Sequence, residues 1–249
     1  MSVIDDAAEL LCAAKRVAVL SGAGISKESG IPTFRDAQTG LWANYDPQQL
    51  ASPSGFRNNP KLVWQWYDSR RQRLAEVQAN PGHFALAELA SMFEEFTVIT
   101  QNVDGLHQKA GSRGVIELHG NITTFRCFER GHESPVAPLG LAEPPLCHCG
   151  SFIRPAVVWF GEGLPEGVFQ QALVAAQSSD VFLIVGTSGL VYPAASLPSV
   201  AAEAGAKLIE INRERTPISE FADVFIGRES GKALPEVLHR CKEKRSSVR

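Results

Sequence analysis

The stretch Arg16-Val17-Ala18-Val19-Leu20-Ser21-Gly22-Ala23-Gly24-Ile25-Ser26 decides the fold. Past Arg16 it holds an uncharged, partly β-branched run, which predicts a strand over 16–20 buried on both faces. That strand runs straight into a turn whose glycines let backbone N–H groups face an anion. As a dinucleotide fingerprint the turn is incomplete, because Lys27 stands where a third glycine belongs, and an ordinary turn is the competing reading.

Outward from this point the same pattern repeats. Residues 5–15 carry Ala8, Leu10, Leu11 and Ala14 at helical spacing behind an acidic start, which predicts an amphipathic helix. Short apolar runs bounded by turn residues predict further strands over 96–100, 156–160, 181–186, 208–211 and 223–226. Helical stretches over 82–93, 165–178 and 194–204 lie between several of them. Strand and helix in alternation give an α/β fold, a Rossmann-like parallel sheet with helices on both faces. Two regions break the alternation: 35–79, with a helix over 60–74, and 121–155, rich in proline and cysteine. We expect these to form a small inserted module, leaving 1–34, 80–120 and 156–249 as the main domain.

The 249 residues carry 24 Lys+Arg against 27 Asp+Glu, a net charge of −3, with 44% apolar content. Binding nucleic acid or an anionic membrane surface needs a strongly basic face, so neither partner is expected. No apolar run approaches the roughly 20 residues that span a bilayer, and the acidic N-terminus is unlike a signal peptide. A cytoplasmic location is the expectation. Three of the five cysteines fall in one region, which favours a metal site over a disulfide scaffold.

Five further segments carry chemistry. In Gly30-Ile31-Pro32-Thr33-Phe34-Arg35-Asp36 a rigid turn precedes an aromatic and a guanidinium suited to pyrophosphate. Thr100-Gln101-Asn102-Val103-Asp104-Gly105-Leu106-His107 begins where a predicted strand ends, so its amides and carboxylate should face the crevice; a polar helix cap is the alternative. Glu117-Leu118-His119-Gly120 offers an imidazole suited to proton transfer near neutral pH, or else a structural histidine. Tyr67 and Arg70, three apart on a predicted helix, place a phenol and a guanidinium on one face, or else form a solvated helix face with an ordinary packed tyrosine. Cys127, His132, Cys147 and Cys149 are candidate zinc ligands. Their spacing departs from two regular pairs, with Arg130 where a second cysteine would stand and a compressed Cys147-His148-Cys149. Without a metal the module would rest on Phe125, Phe128, Leu141, Leu146 and Phe152.

Taken together, GAGIS, GIPTFR, TQNVDGLH, ELHG, RPAVVWFGE, VGTS and EINRE occur in one order, and over roughly residues 11–238 the chain resembles the sirtuins, NAD-dependent protein lysine deacylases. The resemblance implies a Rossmann-like NAD domain and a small module with a helical and a zinc-ribbon piece. By position, Gly22, Ala23, Gly24 and Ser26 would hold the NAD phosphates, with Phe34 and Arg35 on a lid over the nicotinamide ribose. Gln101, Asn102 and Asp104 would orient ribose and nicotinamide. Gly186, Thr187 and Ser188 would add phosphate contacts; Asn212, Arg213 and Glu214 would face the adenosine ribose, and Ser230 the adenine. Asn102 and Asp104 would join His119, the general base, in catalysis. NAD would be consumed as a co-substrate, giving nicotinamide and O-acyl-ADP-ribose, and zinc would be structural. The other partner would be an acyl-lysine protein or peptide, lying in the cleft against 158–163 and 189–192, with Val158, Phe160 and Gly161 among its contacts.

The Tyr67/Arg70 pair resembles that of sirtuins acting on acidic acyl groups such as succinyl and malonyl. A carboxylate enters a dry pocket only when its charge is met, and Arg70 and Tyr67 can meet it. Small Ala51 and Gly55 would leave room. Protein mono-ADP-ribosyl transfer and a non-catalytic NAD- or peptide-binding module are the alternatives.

Overall fold

The computed structural model describes residues 2–31, 46–135, 137–165 and 167–246. Strands β1 (Arg16–Ser21), β2 (Glu95–Thr100), β3 (Ile116–Glu117), β7 (Val181–Val185), β8 (Lys207–Ile211) and β9 (Val224–Ile226) form one parallel sheet in the order β3-β2-β1-β7-β8-β9. Adjacent residues of β1 serve opposite faces, as the period of 2 requires. Val17 and Val19 pack with α1 (Val3–Ala13), α6 (Pro81–Leu89) and α10 (Ser230–Ser246), whose core contributors include Leu11, Leu86 and Leu234. Ala18 and Leu20 pack on the other side with α8 (Val168–Ser178) and α9 (Leu197–Glu203), through Ala172, Ala176, Leu197 and Ala201. This double burial is why the central strands read as continuous apolar runs.

Helix boundaries follow local chemistry. The first helix starts at Val3 rather than residue 5, because Ser2 and Asp5 form a reciprocal capping box. Helix α5 (Pro60–Glu76) starts where Asn59 accepts from the Leu62 N–H and Pro60 supplies the fixed first-turn φ.

One expected strand is corrected. Residues 156–160 do not join the parallel sheet; β6 spans Ile153–Val157 and pairs antiparallel with β4 (Gly120–Cys127), which also pairs with the short β5 (Glu133–Ser134). An apolar run reports burial and not which sheet provides it. Beyond Val157 the main chain turns to other partners: the Val158 N–H donates to the His119 carbonyl and the Phe160 N–H to the Ala51 carbonyl, both at 2.9 Å. Helices α3 (Pro47–Leu50), α4 (Pro53–Asn58) and α5 pack against this second sheet through Leu50, Phe56, Trp66, Tyr67 and Trp159. No described helix is long and apolar enough to cross a membrane.

Candidate functional site

Chain order reverses across the main sheet between β1 and β7, and ligands of open α/β sheets lie outside the strand ends at such a point. There the two loops touch backbone to backbone: the Gly22 N–H donates to the Val185 carbonyl at 3.0 Å and the Gly24 N–H to the Gly186 carbonyl at 2.7 Å. A Cβ on Gly24 would lie 2.6 Å from the Gly186 Cα, and Gly186 itself has φ +60°. The first two glycines of the turn thus allow close approach, and their own N–H groups are already engaged. Ala23 opens the short helix α2 (Ala23–Lys27) between them.

Residues after β2 converge on the same place. Asn102 Nδ2 donates to the Gly22 carbonyl and to Ser26 Oγ, each at 3.0 Å, and its main-chain N–H is held by Thr100 Oγ1. Gln101 Nε2 reaches Thr187 Oγ1 at 2.8 Å, and Asn212 Nδ2 donates to the Thr187 carbonyl at 2.8 Å. Asp104 Oδ1 accepts from the Leu106 N–H, and burial raises its pKa against the opposing influence of that bond, of Ser26 and of Arg70. His119 Nδ1 lies 2.9 Å from the Gln101 carbonyl, and burial holds its pKa below the ordinary value. Of the remaining candidates, Ser188, Arg213 and Glu214 are exposed at the ends of β7 and β8, and Ser230 is buried at the start of α10. Phe34 and Arg35 lie outside the described residues.

The buried face of helix α5 is aromatic, with Trp66 and Tyr67 edge to face. Tyr67 is buried and its oxygen accepts from Trp159 Nε1 at 2.8 Å; burial pushes its pKa up to about 12, so the phenol keeps its proton. The Arg70 guanidinium lies 4.9 Å over the Trp66 ring, and among the described residues its Nη1 is buried without a hydrogen-bond partner. Ala51 packs in the same cluster. Gly55 does not: a Cβ there would meet the Gln49 carbonyl at 2.3 Å, so its size serves the α3–α4 contact rather than an open pocket. Phe160, Leu190, Val191 and Tyr192 leave apolar surface exposed on the two segments expected to flank a peptide.

Trp159 carries no role expected from sequence, and neither do Ser21, Thr100 and His107, whose side chains form a buried polar chain behind the turn. A signal existed for the tryptophan. In an extended run, Val158 and Phe160 point one way and the residue between them the other.

The four candidate metal ligands converge although their spacing is irregular. One ligand atom from each of Cys127, His132, Cys147 and Cys149 lies within 4.8 Å of all the others. The Cys127–Cys149 Sγ separation is 3.5 Å and Cys147 Sγ lies 3.7 Å from His132 Nδ1, close to the roughly 3.8 Å edge of a tetrahedron with 2.3 Å zinc–sulfur bonds. Burial opposes ionisation of Cys127, but the Arg130 main-chain N–H and the other thiols outweigh it and bring its pKa to about 7. Three thiols and an imidazole on a small sheet fit structural zinc. Of the apolar residues that would serve without a metal, Leu146 and Phe152 are exposed, whereas Phe125 is buried beside Cys127 and Cys147, Leu141 packs on the same cluster, and Phe128 is half-buried.

A model of the Sir2 family matches residues 22–193. An NAD-dependent protein deacylase of Aquifex aeolicus is 51% identical over 93% of this chain and 97% of its own, and the NAD-dependent protein deacylase 2 of Pyrobaculum aerophilum is 49% identical over 95% of both. Among solved structures, a Sir2 homologue in complex with NAD superposes with a TM-score of 0.90 at 39% identity, covering 96% of this chain and 94% of the other. A Sir2 protein bound to a myristoylated histone peptide superposes with a TM-score of 0.79 at 36% identity, covering 98% of each.

Proposed function

The chain belongs to the Sir2 family, and on that premise we propose that it is an NAD-dependent protein lysine deacylase that removes acidic acyl groups, succinyl and malonyl, and accepts acetyl as well. One observation carries the acyl preference: a buried guanidinium nitrogen, Arg70 Nη1, has no partner among the described residues, beside a buried phenol that keeps its proton. A buried guanidinium N–H left without an acceptor is costly, and an acyl carboxylate in this pocket would relieve that cost with charge-assisted hydrogen bonds.

The reaction in this family transfers the acyl group to an NAD ribose hydroxyl with loss of nicotinamide, and this chain's residues divide the work. The turn at 22–26, Gln101 and Asn102 would orient the dinucleotide, with Thr187 and Asn212 toward its adenosine half. Asp104 would meet the nicotinamide side. A carbonyl can only accept, so the His119 proton sits on Nδ1 and its Nε2 keeps a lone pair to take a ribose hydroxyl proton. The peptide would lie between 158–163 and 189–192 with its backbone paired to the protein. The Cys127/His132/Cys147/Cys149 group would hold zinc and fasten the small sheet.

The test is incubation with NAD and matched succinyl-, malonyl- and acetyl-lysine peptides, followed by mass spectrometry. Deacylated peptide, nicotinamide and O-acyl-ADP-ribose should form in equal amounts, with kcat/KM higher for the acidic acyl groups. Preference for acetyl would overturn the acidic-acyl reading. ADP-ribosylated protein without deacylated peptide would point to the transferase instead.

A further inference from the structure

The acyl pocket has a second layer. Trp159 lies two residues past the end of β6 and is buried, with its indole N–H donating to the Tyr67 oxygen at 2.8 Å. Ring and main chain of this residue are both held. The Arg154 guanidinium carbon lies 3.4 Å from its ring centroid, and the Trp159 main-chain N–H donates to Glu162 Oε2 at 2.9 Å. Glu162 also pairs bidentately with Arg154, at 2.8 and 2.9 Å, and accepts from Arg126 of β4. Phe56 packs against the same ring.

A phenolic O–H lies near the plane of its ring and has two orientations. Where a donor occupies one side of the oxygen, the proton turns to the other, and accepting that bond strengthens the phenol as a donor. We infer that Trp159 is a specificity-positioning residue: held by Arg154 and Glu162, it fixes the Tyr67 hydroxyl so that its proton meets the acyl carboxylate beside Arg70. The inference rests on the acidic-acyl reading above. It also joins the metal-bearing sheet to the acyl pocket, because the clamp on Trp159 comes from β4, β6 and the turn after β6.

Trp159→Phe keeps an aromatic ring and removes the donor. KM for a succinyl-lysine peptide should rise about fivefold to tenfold, with kcat little changed and KM for acetyl-lysine moving less than twofold. Tyr67→Phe should give a similar rise, and the double variant no more than either alone, since the indole acts only through the hydroxyl. Equal losses on both peptides, or additive losses in the double variant, would overturn the inference. A readout independent of folding of the tryptophan variant uses indole-15N-labelled protein: Tyr67→Phe should shift one Trp Nε1–H resonance and speed its exchange with solvent, and four unmoved indole signals would overturn it too. Arg70→Met is assayed in parallel. If it does not separate succinyl from acetyl turnover, the acidic-acyl reading itself falls; if it does and Trp159→Phe does not, only the positioning role falls.

Discussion

The Nδ1 of His119 and the main-chain oxygen of Gln101 are 2.9 Å apart, a contact that assigns the ring's tautomer. Burial lowers the pKa of the same ring below 6.5, outweighing that hydrogen bond. A depressed pKa keeps the base form dominant to lower pH. The acid limb of the kcat/KM profile for any acyl peptide should therefore be centred below pH 6.5. An acid limb centred at or above pH 6.5 would remove His119 as the titrating base. His119→Tyr should abolish turnover of every acyl substrate, by at least about a hundredfold, with the thermal transition preserved.

Arg70→Met keeps the stem and deletes the charge. A succinyl carboxylate would then enter the pocket unpaired, and kcat/KM for desuccinylation should drop by about 2 kcal/mol, roughly thirtyfold, with a smaller loss in deacetylation. Steady-state kinetics on the two peptides checks this, and equal losses would refute the specificity role.

Gly24→Ala pushes apart the loops after β1 and β7, where the new Cβ would meet Gly186 at 2.6 Å. Overpacking of backbone on backbone should cost about 2 kcal/mol and raise KM for NAD. Gly163→Ala is the control for stability, with nothing within 4 Å of its Cβ position. Denaturant melts of the two variants should differ clearly.

His83 and His107 stack edge to face 5.0 Å apart, both buried, and burial lowers their pKa values to about 3 and about 4, with mutual repulsion adding to the effect on His83. In the unfolded chain both protonate near pH 6.5. The unfolded state thus binds more protons below that pH, and the stability present above 6.5 is lost progressively as pH falls toward 4. The loss from His107 alone is on the order of 3 kcal/mol by pH 4. Thermal melts from pH 7 to 4 should show it, and His107→Gln should flatten the slope; an unchanged slope would show that the penalty lies elsewhere.

Purified protein should carry about one equivalent of zinc, and Cys127→Ser should lower both the metal content and the Tm. Metal content below about a tenth of an equivalent, or a Tm unmoved by chelation, would mean that packing alone holds the ribbon.

Local patterns in the chain were sufficient for five of the six parallel strands and their covering helices, because a strand buried on both faces and an amphipathic helix each leave a short-range signature, as at Val17–Leu20 and along residues 5–15; the edge strand β3, two residues long, leaves none. The motif set was likewise legible, since residues that follow strand ends must face the crevice. Other features needed the tertiary structure. Residues 156–160 read as one more buried strand, yet Val157 pairs with Gly120 in the antiparallel sheet and Phe160 bonds to Ala51, a choice made by partners distant in sequence. Gly55 read as room for an acyl chain, but its backbone is pressed against Gln49. The irregular cysteine spacing read as an incomplete metal site, although β4 and the loop before β6 bring three thiols and an imidazole within 4.8 Å. Sequence alone determined which chemistry the chain carries, because side-chain type and local period are written residue by residue. Which side chains meet, as Trp159 meets Tyr67 across 92 positions, was decided only by packing.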